Sequence, residues 1–465
     1  MVTPWKSDEK AATSPRLTPL PHCGLPTGSH SHTRNMAGLK NIVLGILAIV
    51  LGNLYANNVH VVLYTGVRLF FGIGHTLEPL SAFPYKCRRI EDERLQACED
   101  MWLSESTRQL FLACSESKGR QQWSPNGGQY NASGRSLTDH ITVLNIDEPE
   151  PAGPGFVTRV LETPRYPGTH GDGRLHLVGM TGHDANQQIR LWLVNAKPSV
   201  DPATGRLLPD DRQATNQTVE VFTLSSVPGA AKLEHLQSFW DPLIRTPNRV
   251  AAVGDVTNDF WVTNDLGHSE SSWKRNLSPL LSQGSVIHCS QTNRDNHNCT
   301  AAIPTGLSWP NGLVHDSRAG LLYVPSSMLG IVDIYNATGG DGSSSSSLVP
   351  RKIGTFDVGY SIDNLMVDGD GDVWAAVFPV AKDIRAAFED SDFGAKKGPS
   401  TAAMRIRKTK GAGDGDVGGY VVEKVLEDGF GDLLPVSTSV VHDAKTGRLF
   451  FSSVISPFIA VCDKI

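Results

Sequence analysis

Six short apolar segments, each preceded by a polar turn, recur along the chain about 50 to 80 residues apart. The segments are Thr107–Ala113, Gln187–Val194, Asn258–Thr263, Arg318–Val324, Gly369–Ala376 and Lys445–Ser452. A repeat of this length that consists of strands and turns is typical of a β-propeller with one copy per blade. The 45 glycines and 28 prolines also suit many short strands joined by turns. We therefore predict an all-β fold, a six-bladed β-propeller over residues 81–465, with a β-sandwich as the alternative.

The N-terminal region differs in composition from the repeats. Residues 1–35 are rich in Ser, Thr, Pro, Gly and His, which predicts a disordered tail. Lys40 then precedes the apolar run Ile42–Leu51, as in a secretory signal. We predict a signal-anchor, an apolar helix and a linker within residues 36–80, which would attach the protein to a membrane. A cleaved signal peptide and a buried helix of the soluble domain are the alternatives.

Glycosylation sequons and cysteines also indicate the secretory pathway, as a membrane-anchored or secreted protein. Five sequons are acceptor candidates, at Asn131, Asn216, Asn276, Asn298 and Asn336. Of the seven cysteines, six suggest pairs: Cys98 with Cys114 at the ends of a predicted hairpin, Cys289 with Cys299 around a polar loop, and Cys87 with Cys462 where the ring must close. Cys23 is left over, and no zinc-type Cys/His spacing is present.

Polar residues flank several predicted inner strands, whose ends converge in a propeller. The relevant segments are Cys98-Glu99-Asp100, Pro247-Asn248-Arg249, Pro310-Asn311-Gly312 and Ile362-Asp363-Asn364. Taken singly, such segments are ordinary turns and local side-chain caps. Taken together, they offer two carboxylates and three amide oxygens from four blades, a donor set that favours Ca²⁺. The net charge of −6 argues against a nucleic-acid partner.

These segments resemble the serum paraoxonase/arylesterase family of six-bladed calcium propellers, from about Met36 onward. The resemblance covers Cys87-Arg-Arg-Ile, Glu99-Asp100, Pro247 to Gly254, Thr263-Asn264-Asp265, Pro310-Asn311-Gly312, Asp363-Asn364 and Cys462. It implies that a catalytic calcium ion is held by Glu99, Asn248, Asn311, Asp363 and Asn364. It also implies a ring-closing disulfide between Cys87 and Cys462.

The chain departs from the family pattern at two places. The second, structural calcium of the family uses the equivalents of Asp100, the Met180 carbonyl and an acid where this chain has Arg249. Because an arginine cannot ligate a cation, we predict that Arg249 pairs with Asp100 instead. The family's histidine dyad is missing too, since its positions read Leu177-Val-Gly and Val194-Asn-Ala.

The resulting expectation is a calcium-dependent hydrolase of carboxylic esters, of the arylesterase or lactonase type, acting on a small-molecule ester or lactone. Glu99 or Asp265 would activate the attacking water. His183 is a further candidate for proton transfer, and His176 and His268 are two other candidates for the same role. The alternative is a non-hydrolytic, calcium-stabilised propeller, either a relative of strictosidine synthase or a binding module.

Overall fold

Each of the six recurring segments forms the second strand of a four-stranded antiparallel sheet, so the six-bladed β-propeller is confirmed. The computed structural model describes residues 42–48, 50–52, 54–55, 58–151, 153–168, 171–185, 187–209, 214–227, 229–254, 257–293, 296–338, 349–390, 398–409 and 419–465. Residues 57–465 form one compact unit, which contains the propeller. The disordered tail predicted for residues 1–35, with Cys23, lies outside the described residues.

The blades follow one another along the chain, and each has its first strand innermost. Blade one contains β2 (Asp100–Ser104), β3 (Gln109–Cys114), β6 (His140–Pro149) and β7 (Phe156–Leu161). Blade two contains β8 (Leu177–Ala185), β9 (Gln188–Pro198), β10 (Thr215–Ser225) and β11 (Glu234–Phe239). Blade three contains β12 (Pro247–Ala252), β13 (Phe260–Asn264), β14 (Gly284–Asn293) and β15 (Asn296–Leu307). Blade four contains β16 (Val314–Asp316), β17 (Leu321–Ser326), β18 (Ile331–Asn336) and β19 (Arg351–Asp357). Blade five contains β20 (Ser361–Val367), β21 (Val373–Phe378), β22 (Thr401–Lys408) and β23 (Tyr420–Asp428). The first strands of neighbouring blades contact one another all the way round and form a central tunnel.

The sixth blade closes the ring with strands from both ends of the propeller. It contains β24 (Ser439–Asp443), β25 (Arg448–Ser452), β26 (Ile459–Lys464) and, outermost, β1 (Tyr85–Ile90). Cys87 lies opposite Cys462 in the β1–β26 register, and the two form a disulfide across 375 residues of sequence. In the chain-entropy model a loop of this length contributes up to about 6 kcal/mol.

The other two predicted disulfides are also confirmed. Cys98 pairs with Cys114 at the β2–β3 hairpin, and Cys289 pairs with Cys299 in the β14–β15 register. Three disulfides are the pattern of a protein that folds in an oxidising compartment.

Large aromatic side chains explain why the second strands are recognisable in the sequence. Trp192, Trp261 and Trp374 lie in β9, β13 and β21 and are among the largest fully buried side chains. Packing of apolar side chains within and between blades forms the core. Burying each ring contributes roughly 2–3 kcal/mol, so a polar residue there would weaken the ring.

The two faces of the ring differ in what covers them. We call the face at which the innermost strands begin the upper face, and the opposite one the lower face. The helices of the propeller lie in upper-face connections between the second and third strands of blades one, three and five: α2 (Ser117–Gln122), α3 (Trp273–Leu277) and α4 (Lys382–Glu389). We call residues 115–139 the cap segment; it contains α2 and the short strands β4 (Trp123–Ser124) and β5 (Gln129–Tyr130).

Helix α1 (Val59–Phe71) precedes the propeller, and the described residues between 42 and 55 are helical as well. The imidazole of His75, just after α1, hydrogen-bonds the carbonyl oxygens of Pro379 and Gly359 at 2.8 and 2.9 Å. Among the described helices, none has the length and hydropathy that a bilayer-spanning segment requires. The signal-anchor within residues 36–80 stays a prediction.

The five sequon asparagines are all accessible to some degree. Asn131, Asn276 and Asn298 are exposed, and Asn216 and Asn336 are half-buried. Their glycosylation remains a prediction.

Candidate metal centre

The five predicted metal ligands lie where the innermost strands of four blades begin. Glu99 directly precedes β2, Asn248 is the second residue of β12, and Asn311 precedes β16. Asp363 and Asn364 are the third and fourth residues of β20. Each of the five residues is at most 9% exposed. The ring topology therefore gathers these polar side chains at the upper end of the tunnel.

Blades four and five meet at Gly312, immediately after Asn311. The Gly312 amide donates to the carbonyl of Asp363 at 3.3 Å, and the Leu365 amide donates to the carbonyl of Gly312 at 2.9 Å. A Cβ atom on Gly312 would lie 1.9 Å from the Oδ1 atom of Asn364. Only glycine fits this close approach, so Gly312 sets how near the blade-five ligands come to Asn311.

Blade six connects the ligands of blades one and five. The hydroxyl of Thr438 lies 2.8 Å from the carbonyl oxygen of Glu99 and 2.9 Å from its Oε2 atom. The amide of Asn364 donates to the carbonyl of Thr438 at 3.1 Å, and its Nδ2 atom donates to the Ser439 hydroxyl at 2.9 Å. Glu99 and Asn364 are thus held in place through the same two residues.

Three amide oxygens at this end of the tunnel are buried without a partner. The Oδ1 atoms of Asn248, Asn311 and Asn364 have no hydrogen-bond donor within the described part of the chain. The Nδ2 atoms of Asn311 and Asn364, in contrast, donate to serine hydroxyls. A buried acceptor without a donor costs roughly 1–3 kcal/mol, so three of them in one place need an explanation.

The two carboxylates of the cluster are electrostatically unfavourable as they stand. Burial raises the pKa of Glu99 well above its ordinary value, and the charges of Asp363 and Asp100 raise it further. Burial likewise raises the pKa of Asp363, and the charge of Asp100 adds to the effect. Carboxyl groups in such surroundings become stable anions only when a cation joins them.

These observations fit a hard divalent cation. Such an ion would satisfy the three amide oxygens and neutralise the two carboxylates at once. Oxygen donors without histidine or cysteine suit Ca²⁺ better than zinc. One other described cluster has ligand-type side chains, Asp241, His297 and Cys299, but Cys299 is in a disulfide.

Asp100 follows Glu99 directly in sequence and is fully engaged by donors. Its Oδ1 atom accepts from the Met101 amide at 2.9 Å and the Ser439 hydroxyl at 3.0 Å. Its Oδ2 atom accepts from the Met180 amide and from the Nε atom of Arg249, both at 2.7 Å. The predicted ion pair between Arg249 and Asp100 is therefore present in the structure.

The rest of the Arg249 guanidinium is also engaged. Its Nη1 atom donates to the carbonyl of Leu365, and its Nη2 atom lies against the sulfur of Met366. Arg249 is 1% exposed, so its positive charge sits deep in the tunnel below the five ligands. The Arg249 guanidinium therefore provides a positive charge beside Asp100 at this depth of the tunnel.

Asp265, a candidate base, lies beside the ligand cluster. Its Oδ2 atom accepts from the Asn126 side chain of the cap segment at 2.8 Å, whereas its buried Oδ1 atom has no donor among the described residues. Burial raises the pKa of Asp265 to about 6, although the Arg275 charge opposes this. Its charge also raises the pKa of Asp363, so the two carboxyls are close. Asp265 is ionised at neutral pH and close enough to take part in chemistry there.

The structure does not bring His183 to this cluster. His183 is three residues beyond Met180 along β8, which at about 3.3 Å per residue is roughly 10 Å further down the tunnel. It lines a different cavity of about 310 Å³ at the lower end, together with His315, His442 and the far side of Arg249. Arg249 stands between this cavity and the ligand cluster.

The other two histidines that the sequence singled out lie on the upper face. His176, just before β8, is 2% exposed, and burial lowers its pKa to about 4. It is therefore neutral at physiological pH. His268 is half-buried in the connection between β13 and β14.

Several residues around the centre were not expected from the sequence. Thr438 and Ser439 occupy in blade six the position that the ligands occupy in other blades. The recurring segment Lys445–Ser452 marks the second strand of this blade, and the start of the strand before it would have located them. Arg120 and Asn126 come from the cap segment, a long connection with no repeat to align. No sequence signal marks them.

No family model and no curated protein matches this chain. Solved structures with a similar fold include a putative gluconolactonase, at 13% identity and a TM-score of 0.41, over 85% of this chain and 94% of that one. A calcium-binding protein, regucalcin, from Agrobacterium tumefaciens is similar at 10% identity and a TM-score of 0.40, over 82% and 96%. A gluconolactonase from Xanthomonas campestris is similar at 15% identity and a TM-score of 0.38, over 82% and 89%. Likenesses of this strength assign no activity.

Proposed function

We propose that the protein is a calcium-dependent hydrolase of carboxylic esters and lactones, of the arylesterase or lactonase type. The observation that carries the proposal is the set of three partnerless amide oxygens, from Asn248, Asn311 and Asn364, beside the buried carboxyls of Glu99 and Asp363. The resemblance of the same segments to the serum paraoxonase/arylesterase family supports it. The three disulfides support a location in the secretory pathway.

The residues of the centre divide the chemistry between them. Glu99, Asn248, Asn311, Asp363 and Asn364 would hold the calcium ion, which when bound polarises a carbonyl group and stabilises negative charge on its oxygen. Asp265 accepts a proton from the water whose oxygen attacks the carbonyl carbon. The bond to the alcohol oxygen then breaks, and the proton passes to the departing alkoxide.

Asp265 suits this role better than Glu99. The Oδ1 atom of Asp265 has no donor among the described residues. Glu99, in contrast, accepts a hydrogen bond from Thr438 and is assigned to the metal. A pKa of about 6 leaves Asp265 ionised at pH 7 yet basic enough to accept a proton. The substrate would be a small ester or lactone that enters beneath the cap segment.

The missing histidine dyad favours a second candidate function, a non-hydrolytic propeller that calcium only stabilises. At one of the dyad positions Asn195 is fully buried and has a structural role. Its Nδ2 atom donates to the Tyr166 hydroxyl at 2.7 Å, and its Oδ1 atom accepts from the His176 amide at 2.8 Å. A synthase-like relative or a binding module would have the same metal centre without the hydrolytic step.

The test is turnover of phenyl acetate and γ-valerolactone by purified protein, with calcium and after chelation with EGTA. We expect hydrolysis that requires calcium and falls at least about 100-fold in Glu99→Gln and Asp363→Asn. The control is Asp370→Asn, an exposed aspartate of the same blade in the β20–β21 turn. Unchanged turnover in the two ligand variants would refute the hydrolase. Calcium-dependent folding without any hydrolysis would support the second candidate.

A further inference from the structure

The cap segment is fixed to the upper face beside the metal centre. The Asn126 side chain donates to the Asp265 carboxylate at 2.8 Å and to the Pro247 carbonyl at 3.2 Å. The indole of Trp123 donates to the carbonyl of Ala196 at 2.7 Å, and Arg275 donates to the carbonyl of Asn126 at 3.0 Å. These bonds reach blades two and three, so the segment forms part of the wall of the site.

Arg120 of α2 is the unusual residue of this segment. It is 3% exposed, yet its Nε and Nη2 atoms have no hydrogen-bond partner within the described part of the chain. No ion pair involves Arg120 among those residues. Arg249, which is similarly buried, has a partner for each of its side-chain nitrogens. A buried guanidinium with two unpaired nitrogens is costly unless something outside the chain binds it.

The position of Arg120 is constrained by its neighbours. A Cβ atom on Gly119 would lie 2.5 Å from the backbone nitrogen of Ser136, so α2 packs tightly against the end of the cap segment. Asp139, a carboxylate at that end, is engaged elsewhere, since it accepts from the Ser115 hydroxyl at 2.6 Å and the Leu177 amide at 2.8 Å. It forms no ion pair with Arg120.

Arg120 lies close enough to Glu99 and His176 to influence both electrostatically. Its positive charge lowers the pKa of Glu99 and of His176, although burial is the larger influence on both. The carboxylates of this region have other partners: Asp100 pairs with Arg249, and Asp139 accepts from Ser115 and Leu177. Among the described residues, none of them forms an ion pair with Arg120.

We infer that Arg120 binds a free carboxylate group of the substrate, which makes the preferred substrate a lactone or ester that carries a second, anionic carboxyl. A guanidinium presents two parallel N–H groups that match a carboxylate, and such charge-assisted pairs are strong in buried sites. One end of the substrate would be held by Arg120 while its ester carbonyl meets the metal centre. This inference rests on the proposed function.

The test compares two five-membered lactones that differ in one substituent. 5-Oxotetrahydrofuran-2-carboxylate carries a carboxylate where γ-valerolactone carries a methyl group. We expect wild-type protein with calcium to prefer the carboxylate in kcat/KM by about 10- to 100-fold. In Arg120→Gln the preference should vanish through a higher KM for the carboxylate, so that the two lactones become substrates of similar kcat/KM. Arg120→Lys should keep part of the preference.

Lys118→Gln is the matched control, because Lys118 is an exposed cation on the same helix. A wild-type protein that hydrolyses γ-valerolactone but does not prefer the carboxylate would overturn the role of Arg120 and leave the proposed function standing. If neither lactone is hydrolysed, the proposed function fails. Calorimetric titration with the carboxylate then decides whether Arg120 binds an anion. Binding that disappears in Arg120→Gln would support the anion site, and absence of binding to wild-type protein would overturn it.

Discussion

The Nε atom of Arg249 donates a 2.7 Å hydrogen bond to the Oδ2 atom of Asp100 in the middle of the central tunnel. Both side chains are at most 1% exposed. A guanidinium thus occupies the level at which the resembled family uses a structural calcium ion. The pair explains how blades one and three are tied together beneath the metal centre without a second ion.

The first prediction concerns metal content. Because Asp100 already accepts four hydrogen bonds, it has no favourable way to ligate a cation. We expect metal analysis of protein purified with calcium to find one tightly bound ion per chain. Two tight calcium ions per chain would contradict this account of Arg249.

The second prediction concerns the stability that the pair provides. Arg249→Met keeps much of the side-chain volume but leaves Asp100 as an unpaired buried charge, which we expect to cost about 3–5 kcal/mol. Urea unfolding at pH 7 measures the loss. Arg385→Met is the control, since Arg385 pairs with Glu389 while its side chain is 82% exposed, and such pairs contribute little. Similar losses in the two variants would show that burial of the Arg249 pair is not what stabilises the tunnel.

A third prediction follows from the crowding of carboxylates at the metal centre. Without calcium, Asp363 must either stay charged beside Glu99 or take up a proton at neutral pH. Asp363→Asn removes this cost, so in EGTA the variant should be more stable than wild type by roughly 1–2 kcal/mol. Calcium should raise the melting temperature of wild-type protein and not that of the variant. Differential scanning calorimetry with calcium and with EGTA compares the two, and Asp370→Asn should behave as wild type. A variant less stable than wild type in EGTA would mean that Asp363 stabilises the fold without a metal.

The repeat in the sequence was sufficient to predict the ring, and the ring was sufficient to predict which strand ends meet. Glu99, Asn248 and Asp363 could be located because each begins a first strand, a position that topology alone determines. His183 shows the limit of this reasoning. It belongs to an inner strand too, but its distance along β8 places it in the lower cavity, and the sequence does not reveal where a strand starts to within three residues.

The cap segment was beyond prediction for a different reason. Connections between strands are not constrained by the blade repeat, so the residues that Arg120 and Asn126 contact depend on the folded surface. That the Nε and Nη2 atoms of Arg120 lack a partner among the described residues is a property of the three-dimensional structure and has no sequence counterpart.

A fourth prediction concerns Gly312. Gly312→Ala would place a methyl group 1.9 Å from the Oδ1 atom of Asn364, so blades four and five must separate locally or Asn364 must turn away. We expect calcium affinity to fall at least about tenfold while the propeller still folds, since a locally strained core costs about 1–3 kcal/mol. Calcium titration by calorimetry and circular dichroism measure the two effects. Gly254→Ala is the control, because a Cβ atom at Gly254 meets no atom within 4 Å. Wild-type calcium affinity in Gly312→Ala would refute the assignment of Asn364 as a ligand.

The last prediction concerns acid stability and His176. Burial lowers the pKa of His176 to about 4 in the folded protein, whereas an unfolded histidine titrates near 6.5. Between these values the unfolded chain binds a proton that the folded chain does not, so stability is present above pH 6.5 and is lost as the pH falls toward 4. The part due to His176 should be about 2 kcal/mol between pH 7 and pH 5. Urea unfolding at the two pH values should therefore show a smaller loss in His176→Gln than in wild type, whatever the stability of the variant at pH 7. Equal losses in the two proteins would mean that His176 takes up its proton as readily in the folded chain as in the unfolded one.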